Sequence, residues 1–206
     1  MKILHIHAKS TADIKLTETA INALPAKLGI VTTIQHLHKL DEVILQLKEA
    51  VIGGQVLGCN VDSAKQISDK VNAFLFVGSG EFHPIAIALE TGKPVYKWNP
   101  FTQQLSVVKN EDIEKYKKRR KAALAKFLSS NKIGILVSTK HGQSNLGKAL
   151  ELAAKKDKEY HLFAFDTLNP SDLENFPFIE VWVNTACPRI ADEKSNIVNV
   201  GEITRI

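Results

Sequence analysis

The sequence predicts an α/β fold: two similar small domains with parallel β-sheets flanked by helices, joined by a long basic helix. Short apolar or β-branched runs alternate with stretches of helical period along the 206 residues, the pattern of parallel strands with crossover helices. Some runs, Phe74-Leu75-Phe76-Val77 above all, are apolar without alternation, as a strand covered on both faces requires. The outline of the first half also returns in the second. The expected domains are 1–109 and 110–206, the second opening on the linking helix.

In order, 2–7 reads as a strand and 13–24 as a helix, with Asp13 near its start and Ile14, Leu16, Ala20, Ile21 and Leu24 on one side. A strand at 29–34 runs into the polar cluster Gln35-His36-Leu37-His38, and Asp41 opens an amphipathic helix over 40–51. Gly53-Gly54 reads as a turn, 55–57 as a short strand delivering Cys59, and Asn60 or Asp62 as the cap of a helix to about 71. The strand 74–77 enters Gly78-Ser79-Gly80-Glu81-Phe82-His83-Pro84, where Pro84 suits the first turn of a helix to 91. Strands follow at 94–98 and, as an edge, 104–108; the basic helix spans 111–129. The second half repeats the outline: strand 132–139, polar loop Lys140-His141-Gly142-Gln143, helix 144–156, strand 160–165, a short helix near 170–174 and a strand 179–183 delivering Cys187. Both halves read strand, polar loop, helix, further strand, cysteine.

Composition excludes several classes. Apolar content of 44% and charged content of 24% are those of a globular protein. No window reaches the apolar length of a membrane span, and the first residues lack the apolar core of a signal peptide. A cytoplasmic protein with no membrane partner is expected. In a reducing compartment two cysteines are thiols or ligands rather than a disulfide. Much of the net charge of +5 lies in Lys115-Tyr116-Lys117-Lys118-Arg119-Arg120-Lys121, which reads as a solvated helix face; no nucleic acid is expected.

The two cysteines stand where apolar runs open into loops, in Gln55-Val56-Leu57-Gly58-Cys59-Asn60 and Asn184-Thr185-Ala186-Cys187-Pro188-Arg189. The residues leave three roles open: inert thiols, ligands of a shared metal or cluster, or a nucleophile. The absence of a CxxC pair disfavours a self-contained zinc site, while His36, His38, His83 and His141 are candidate extra ligands. Gly78-Ser79-Gly80-Glu81 does not match the dinucleotide fingerprint, and Glu81 opposes an anion; a cationic group such as an amine or a sulfonium suits it better. His36 and His38 share a face if their segment is extended, beside Gln35. Lys140, His141 and Gln143 occupy the same topological point in the second half.

Taken together, Val31-Thr32-Thr33-Ile34-Gln35-His36-Leu37-His38, Gly54-Gln55-Val56-Leu57-Gly58-Cys59-Asn60, Phe76-Val77-Gly78-Ser79-Gly80-Glu81-Phe82-His83-Pro84, Val137-Ser138-Thr139-Lys140-His141-Gly142-Gln143 and Val183-Asn184-Thr185-Ala186-Cys187-Pro188-Arg189-Ile190 resemble, in order, the diphthamide synthase family in its archaeal form. These are the 2-(3-amino-3-carboxypropyl)histidine synthases. The resemblance covers essentially the whole chain. It implies three similar α/β domains, each giving one cysteine to a 4Fe–4S cluster whose fourth iron binds S-adenosylmethionine. Cleavage between sulfur and the methionine Cγ then yields methylthioadenosine and a 3-amino-3-carboxypropyl radical, which adds to a histidine of translation elongation factor 2, the first step of diphthamide synthesis.

On this pattern Cys59 and Cys187 are two of the three cluster ligands, and Gln35, His36, Ser79, Glu81, His83, Lys140 and Gln143 line the substrate side. No catalytic residue is expected beyond the cluster. The chain resembles only the second and third family domains. The expectation is therefore a split enzyme, whose first domain and third cysteine come from a separate polypeptide, with a higher oligomer through the family's dimer interface as a further expectation. Two other readings compete: a non-catalytic partner, and an iron–sulfur electron-transfer module in which two chains pool their cysteines.

Overall fold

The apolar runs of the first half form β1 (Leu28–Thr32), β2 (Val51–Gln55), β3 (Ala73–Val77), β4 (Val95–Asn99) and β5 (Gln104–Val107). The computed structural model describes residues 4, 6–192 and 196–204. Strand order is β2-β1-β3-β4-β5, the first four parallel and β5 an antiparallel edge. Every residue of β1 and β3 is buried, because helices cover both faces. On one face Leu28, Ile30, Leu75, Val77 and Trp98 pack with residues of α1 (Glu18–Ala23) and α2 (Leu40–Ile44). On the other, Val31, Phe74 and Phe76 pack with residues of α3 (Asp62–Ile67) and α4 (Phe82–Thr91). This is the doubly covered parallel sheet expected from continuous apolar runs.

The chain divides into two compact units, residues 1–113 and 114–206. The division falls inside α5 (Asn110–Ser129), followed by β6 (Lys132–Ser138), α6 (Leu146–Ala153), β7 (Glu159–Phe165), β8 (Val181–Asn184), β9 (Ile197–Asn199) and α7 (Val200–Ile203). The second sheet is wholly parallel, in the order β7-β6-β8-β9. Of α5 only Ala123 and Phe127 are buried. Lys115, Lys117, Lys118, Arg119 and Lys121 are exposed, so the basic run is a solvated face. Among the described residues no helix is long and apolar enough to cross a membrane.

Numbered within its own unit, each sheet begins 2-1-3-4, and the agreement extends to register. Gly29 of β1 pairs with Phe74 of β3, and Gly134 of β6 pairs with Trp182 of β8. A Cβ on Gly29 would meet the Phe74 ring at 2.8 Å, and one on Gly134 the Trp182 ring at 2.4 Å. Both β1 and β6, interior strands, thus give up a side chain to seat the ring of their neighbour. Counting forward from these pairs, Gln35 matches Lys140, His36 matches His141, and Ser79 matches Cys187.

Several expectations are corrected. Of the strand expected at 2–7, residues 2, 3 and 5 lie outside the described residues; Leu4, Ile6 and His7 form no strand, and Leu4 and Ile6 are each 83% exposed. The first helix starts only at Glu18, where the Thr17 hydroxyl accepts the Ala20 N–H. The helix expected over 40–51 ends at Ile44, and Val51 onward is strand. Gly53 and Gly54 belong to that strand. A Cβ on Gly53 would meet Ile67 and Val31 at 2.8 Å, and Gly53 is the extra residue at the register shift between Ile30 and Val31, before Gly54 (φ +92°) pairs with Val31. His36 and His38 do not share an extended face, since a 3-10 turn, Leu37–Lys39, follows His36 directly. The matching outline also skips a strand: Cys59 follows the second strand of its unit, Cys187 the third.

Because the space over Gly134 is filled by an indole, Gly134→Ala should destabilise the second unit by about 1–3 kcal/mol in chemical denaturation. Shrinking the ring with Trp182→Leu in the same chain should make the combined cost smaller than the sum of the two single costs.

Candidate functional site

In an open parallel sheet the loops at the carboxyl ends of the strands carry ligands, chiefly where neighbouring strands are followed in opposite directions. That switch point lies between β1 and β3 in the first unit and between β6 and β8 in the second. A threonine ties the two strands together at each. The Thr32 hydroxyl donates to the Val77 carbonyl at 2.6 Å, and the Thr185 hydroxyl donates to the Leu136 carbonyl at 2.8 Å.

The loop after β1 carries Gln35, exposed, and His36, 3% exposed. The His36 ring meets Phe101 edge-on, with centroids 6.0 Å apart, and its Nδ1 has no hydrogen-bond partner among the described residues. Burial holds the His36 pKa below its ordinary 6.5, helped by the nearby charges of Lys39 and His38. The loop after β3 presents Ser79 and Gly80 to solvent. Gly80 has φ +85° and open space where a Cβ would stand, so the backbone itself is accessible there.

Glu81 precedes α4, and both its carboxylate oxygens accept from Lys97 Nζ of β4, a side chain only 13% exposed. The Glu81 charge expected to oppose an anion is therefore already compensated by a lysine of the same unit. His83, in the first turn of α4, stacks on Phe76 with centroids 5.7 Å apart.

Cys59 stands on the neighbouring loop, after β2. Leu57 and Asn60 exchange two backbone hydrogen bonds, of 2.8 and 3.1 Å, around Gly58 and Cys59. The Asn60 side chain accepts the Asp62 N–H at 2.9 Å and leads the chain into α3. The Phe82 ring covers Gly58 so closely that a Cβ there would fall 1.6 Å from it. A tight turn under an aromatic lid thus presents an exposed thiol.

In the second unit the polar loop Lys140-His141-Gly142-Gln143 follows β6. Its turn is held by the Lys140 N–H on the Ser138 hydroxyl at 3.2 Å and the Gln143 N–H on the Lys140 carbonyl at 3.1 Å. Lys140 and Gln143 are exposed. Cys187, half-buried, is on the loop after β8, beside that of Lys140 across the switch point. Each sheet thus gathers its expected residues at one edge: Gln35, His36, Cys59, Ser79, Glu81 and His83 on the first, and Lys140, Gln143 and Cys187 on the second.

Both thiols are unpaired. Among the described residues no group of three or more His, Cys, Asp or Glu side chains could hold a metal ion. The histidines considered as extra ligands therefore complete no site. Each unit thus brings one thiol to its carboxyl edge, and one thiol is too few to hold a metal by itself. Sequence reasoning missed Lys97, Thr32 and Thr185. A lysine inside an otherwise apolar strand was the available signal for Lys97; the others act through register, which spacing does not reveal.

The fold and the edge loops define an α/β protein of repeated parallel units with its polar and thiol side chains on the carboxyl-edge loops at and beside the switch points. The chain belongs to the diphthamide synthesis family: the family model described as "Putative diphthamide synthesis protein" matches residues 1–196. It is 37% identical to the 2-(3-amino-3-carboxypropyl)histidine synthase of Pyrococcus horikoshii over 82% of this chain and 52% of that protein. Against the Methanocaldococcus jannaschii enzyme of the same name the identity is 30%, over 80% of this chain and 45% of that one. The chain thus spans about half the length of these relatives. Among solved structures it resembles Dph2 from Pyrococcus horikoshii with a 4Fe-4S cluster, at a TM-score of 0.75 and 32% identity, over 90% of this chain and 58% of that one.

His36 gives a pH test. Its folded pKa lies below its unfolded value, so between the two the unfolded chain binds a proton that the folded chain does not. Stability should fall as pH drops through and below about 6.5. Urea unfolding at a series of pH values should show this decline, and His36→Phe, which keeps an aromatic ring against Phe101, should flatten it.

Proposed function

We propose that this chain is part of a 2-(3-amino-3-carboxypropyl)histidine synthase that transfers the 3-amino-3-carboxypropyl group of S-adenosylmethionine to a histidine of translation elongation factor 2. Cys59 and Cys187 are two of three thiolate ligands of its 4Fe–4S cluster. The carrying observation is that both cysteines of a chain in this family are unpaired on carboxyl-edge loops of two like sheets. The named cluster of the Pyrococcus horikoshii structure and the names of the relatives support the same reading. The third thiolate comes from residues beyond these 206, and a polypeptide carrying the family's first domain can supply it in trans. With elongation factor 2 as substrate, the enzyme works in the cytoplasm.

When bound, the cluster supplies the electron that breaks the bond between sulfur and the methionine Cγ. The chain's own residues bind and orient. Lys140 offers a cation to the carboxylate of the transferred group, and Gln143 and Gln35 offer amides. Ser79 and the open backbone at Gly80 let a ligand approach the first switch point closely. Glu81, already paired with Lys97, accepts a sulfonium or an ammonium only by sharing its carboxylate, which favours a cation over an anion without leaving a bare charge. His83, stacked on Phe76, holds the first turn of α4 behind that loop.

Anaerobic reconstitution tests the assignment by iron content, absorption spectrum and methylthioadenosine release. Alone, the chain should hold no stable 4Fe–4S cluster. With the first-domain polypeptide it should hold about four iron atoms per complex and release methylthioadenosine. Cys59→Ala and Cys187→Ala should each lose both. Full iron and full release in both variants would remove the two cysteines from the ligand set.

A further inference from the structure

Asn184 closes β8 and is 1% exposed, with both donors of its amide and its oxygen engaged in hydrogen bonds. Its Oδ1 accepts the Ala186 N–H at 3.0 Å, which fixes the direction in which the amide faces. Its Nδ2 donates to the Cys187 carbonyl at 2.8 Å and to Oδ1 of Asn199 at 2.7 Å. The Cys187 carbonyl also accepts the Ile190 N–H at 3.0 Å, so the peptide that follows the thiol-bearing residue is held by two donors, and the Thr185–Ala186 peptide before it by the Asn184 Oδ1 bond.

Asn199, at the end of β9, carries the chain of bonds onward. Its Nδ2 donates to the Pro188 carbonyl and to Glu202 Oε1, both at 3.3 Å. Glu202, whose side chain is 13% exposed, accepts Arg120 Nε of α5 at 2.7 Å. The Arg120 guanidinium in turn lies 5.0 Å from the Tyr116 ring centre. The two asparagines thus link the Cys187 loop to an ion pair on the basic helix.

We propose that Asn184 and Asn199, anchored through Glu202 to Arg120, are positioning residues that set how the Cys187 thiol is presented. This rests on Cys187 being a cluster ligand, and it concerns residues to which no role has been given above. An ordinary strand-end asparagine would cap its own sheet, whereas two of the three bonds of Asn184 go to the cysteine loop. The first unit supplies the comparison. At the register position of Asn184 it carries Phe76, and at that of Cys187 it carries Ser79. The polar clamp is present where the switch-point loop holds a thiol and absent where it does not. A thiolate loop fixed before the metal arrives binds without an ordering cost, which is the usual effect of groups that orient a ligand from behind.

The test uses the whole metal-free chain and iodoacetamide, with the alkylation rates of Cys59 and Cys187 read separately by peptide mass. Asn184→Leu and Asn199→Leu remove the clamp without adding charge, and Cys59 serves as an internal reference in the other unit. The expected result is a rise of about threefold or more in the Cys187 rate, with the Cys59 rate unchanged, as local loosening gives. An unchanged Cys187 rate, or equal rises at both thiols, overturns the proposal. Should Asn184→Leu fail to fold, Asn199→Leu decides alone, since it leaves the residues of the loop intact. With the first-domain polypeptide and iron, Asn199→Leu should lose iron to a chelator about tenfold faster than the unsubstituted chain. If the unsubstituted complex binds no iron, the cluster assignment fails while the alkylation ratio still decides the positioning role.

Discussion

In each sheet the strand beside the switch point, β1 or β6, can seat the aromatic side chain of its partner only by giving up its own Cβ. Both sheets are built on that exchange, Gly29 under Phe74 and Gly134 under Trp182. Once the ring is seated, a slip of register would drive it into a side chain. The pairing therefore fixes where each strand ends and which residue opens each loop. The polar side chains at the switch points hold their places because of this apolar contact below them. The threonine bridges at Thr32 and Thr185 then close the strand ends at the point where the loops diverge.

The two thiols are held by different physics. Cys59 stands on a turn of two backbone hydrogen bonds pressed under Phe82, and only a glycine at position 58 admits that ring. Cys187 stands on a loop whose carbonyls are fixed by buried amides. Steric packing limits the first loop by contact with α4. The second is limited by hydrogen-bond direction, which is lost when a single partner is removed. The thiols are thus independently supported, and a change at one support leaves the other in place.

Much of this was legible in sequence. Continuous apolar runs gave the buried strands, and a lone basic run gave a helix face that is indeed exposed. Glycine and proline marked the loop around Ser79. Where the reading failed, a tertiary contact outweighed local pattern. Gly53-Gly54 looks like a turn but is strand because Ile67 and Val31 close over it. The apolar residues Ile14 and Leu16 are buried as expected, yet the helix begins after them, where Thr17 can cap it. The three-residue β9 and the four-residue α7 are too short for any period to register. At the site, the cysteines and the polar loops could be named from order alone. The Lys97 partner of Glu81 and the Asn184–Asn199 clamp could not, because each joins residues that only strand register brings together.

Register also sharpens what the repeat means. A unit copied with its thiol in place would carry cysteine at position 79, the counterpart of Cys187. It carries a serine there instead, between two glycines, and its thiol stands on the loop after β2, on the far side of β1 in the sheet. Under the proposed function the two units divide the work. The second gives its switch-point loop to a ligand thiolate and stiffens that loop with buried amides. The first keeps its switch point open, with a hydroxyl, accessible backbone and a compensated carboxylate. These groups suit holding a polar substrate more than holding iron. On that reading the place of Cys59, after β2 rather than after β3, leaves the first switch point free for a substrate beside a cluster ligand on the same sheet edge.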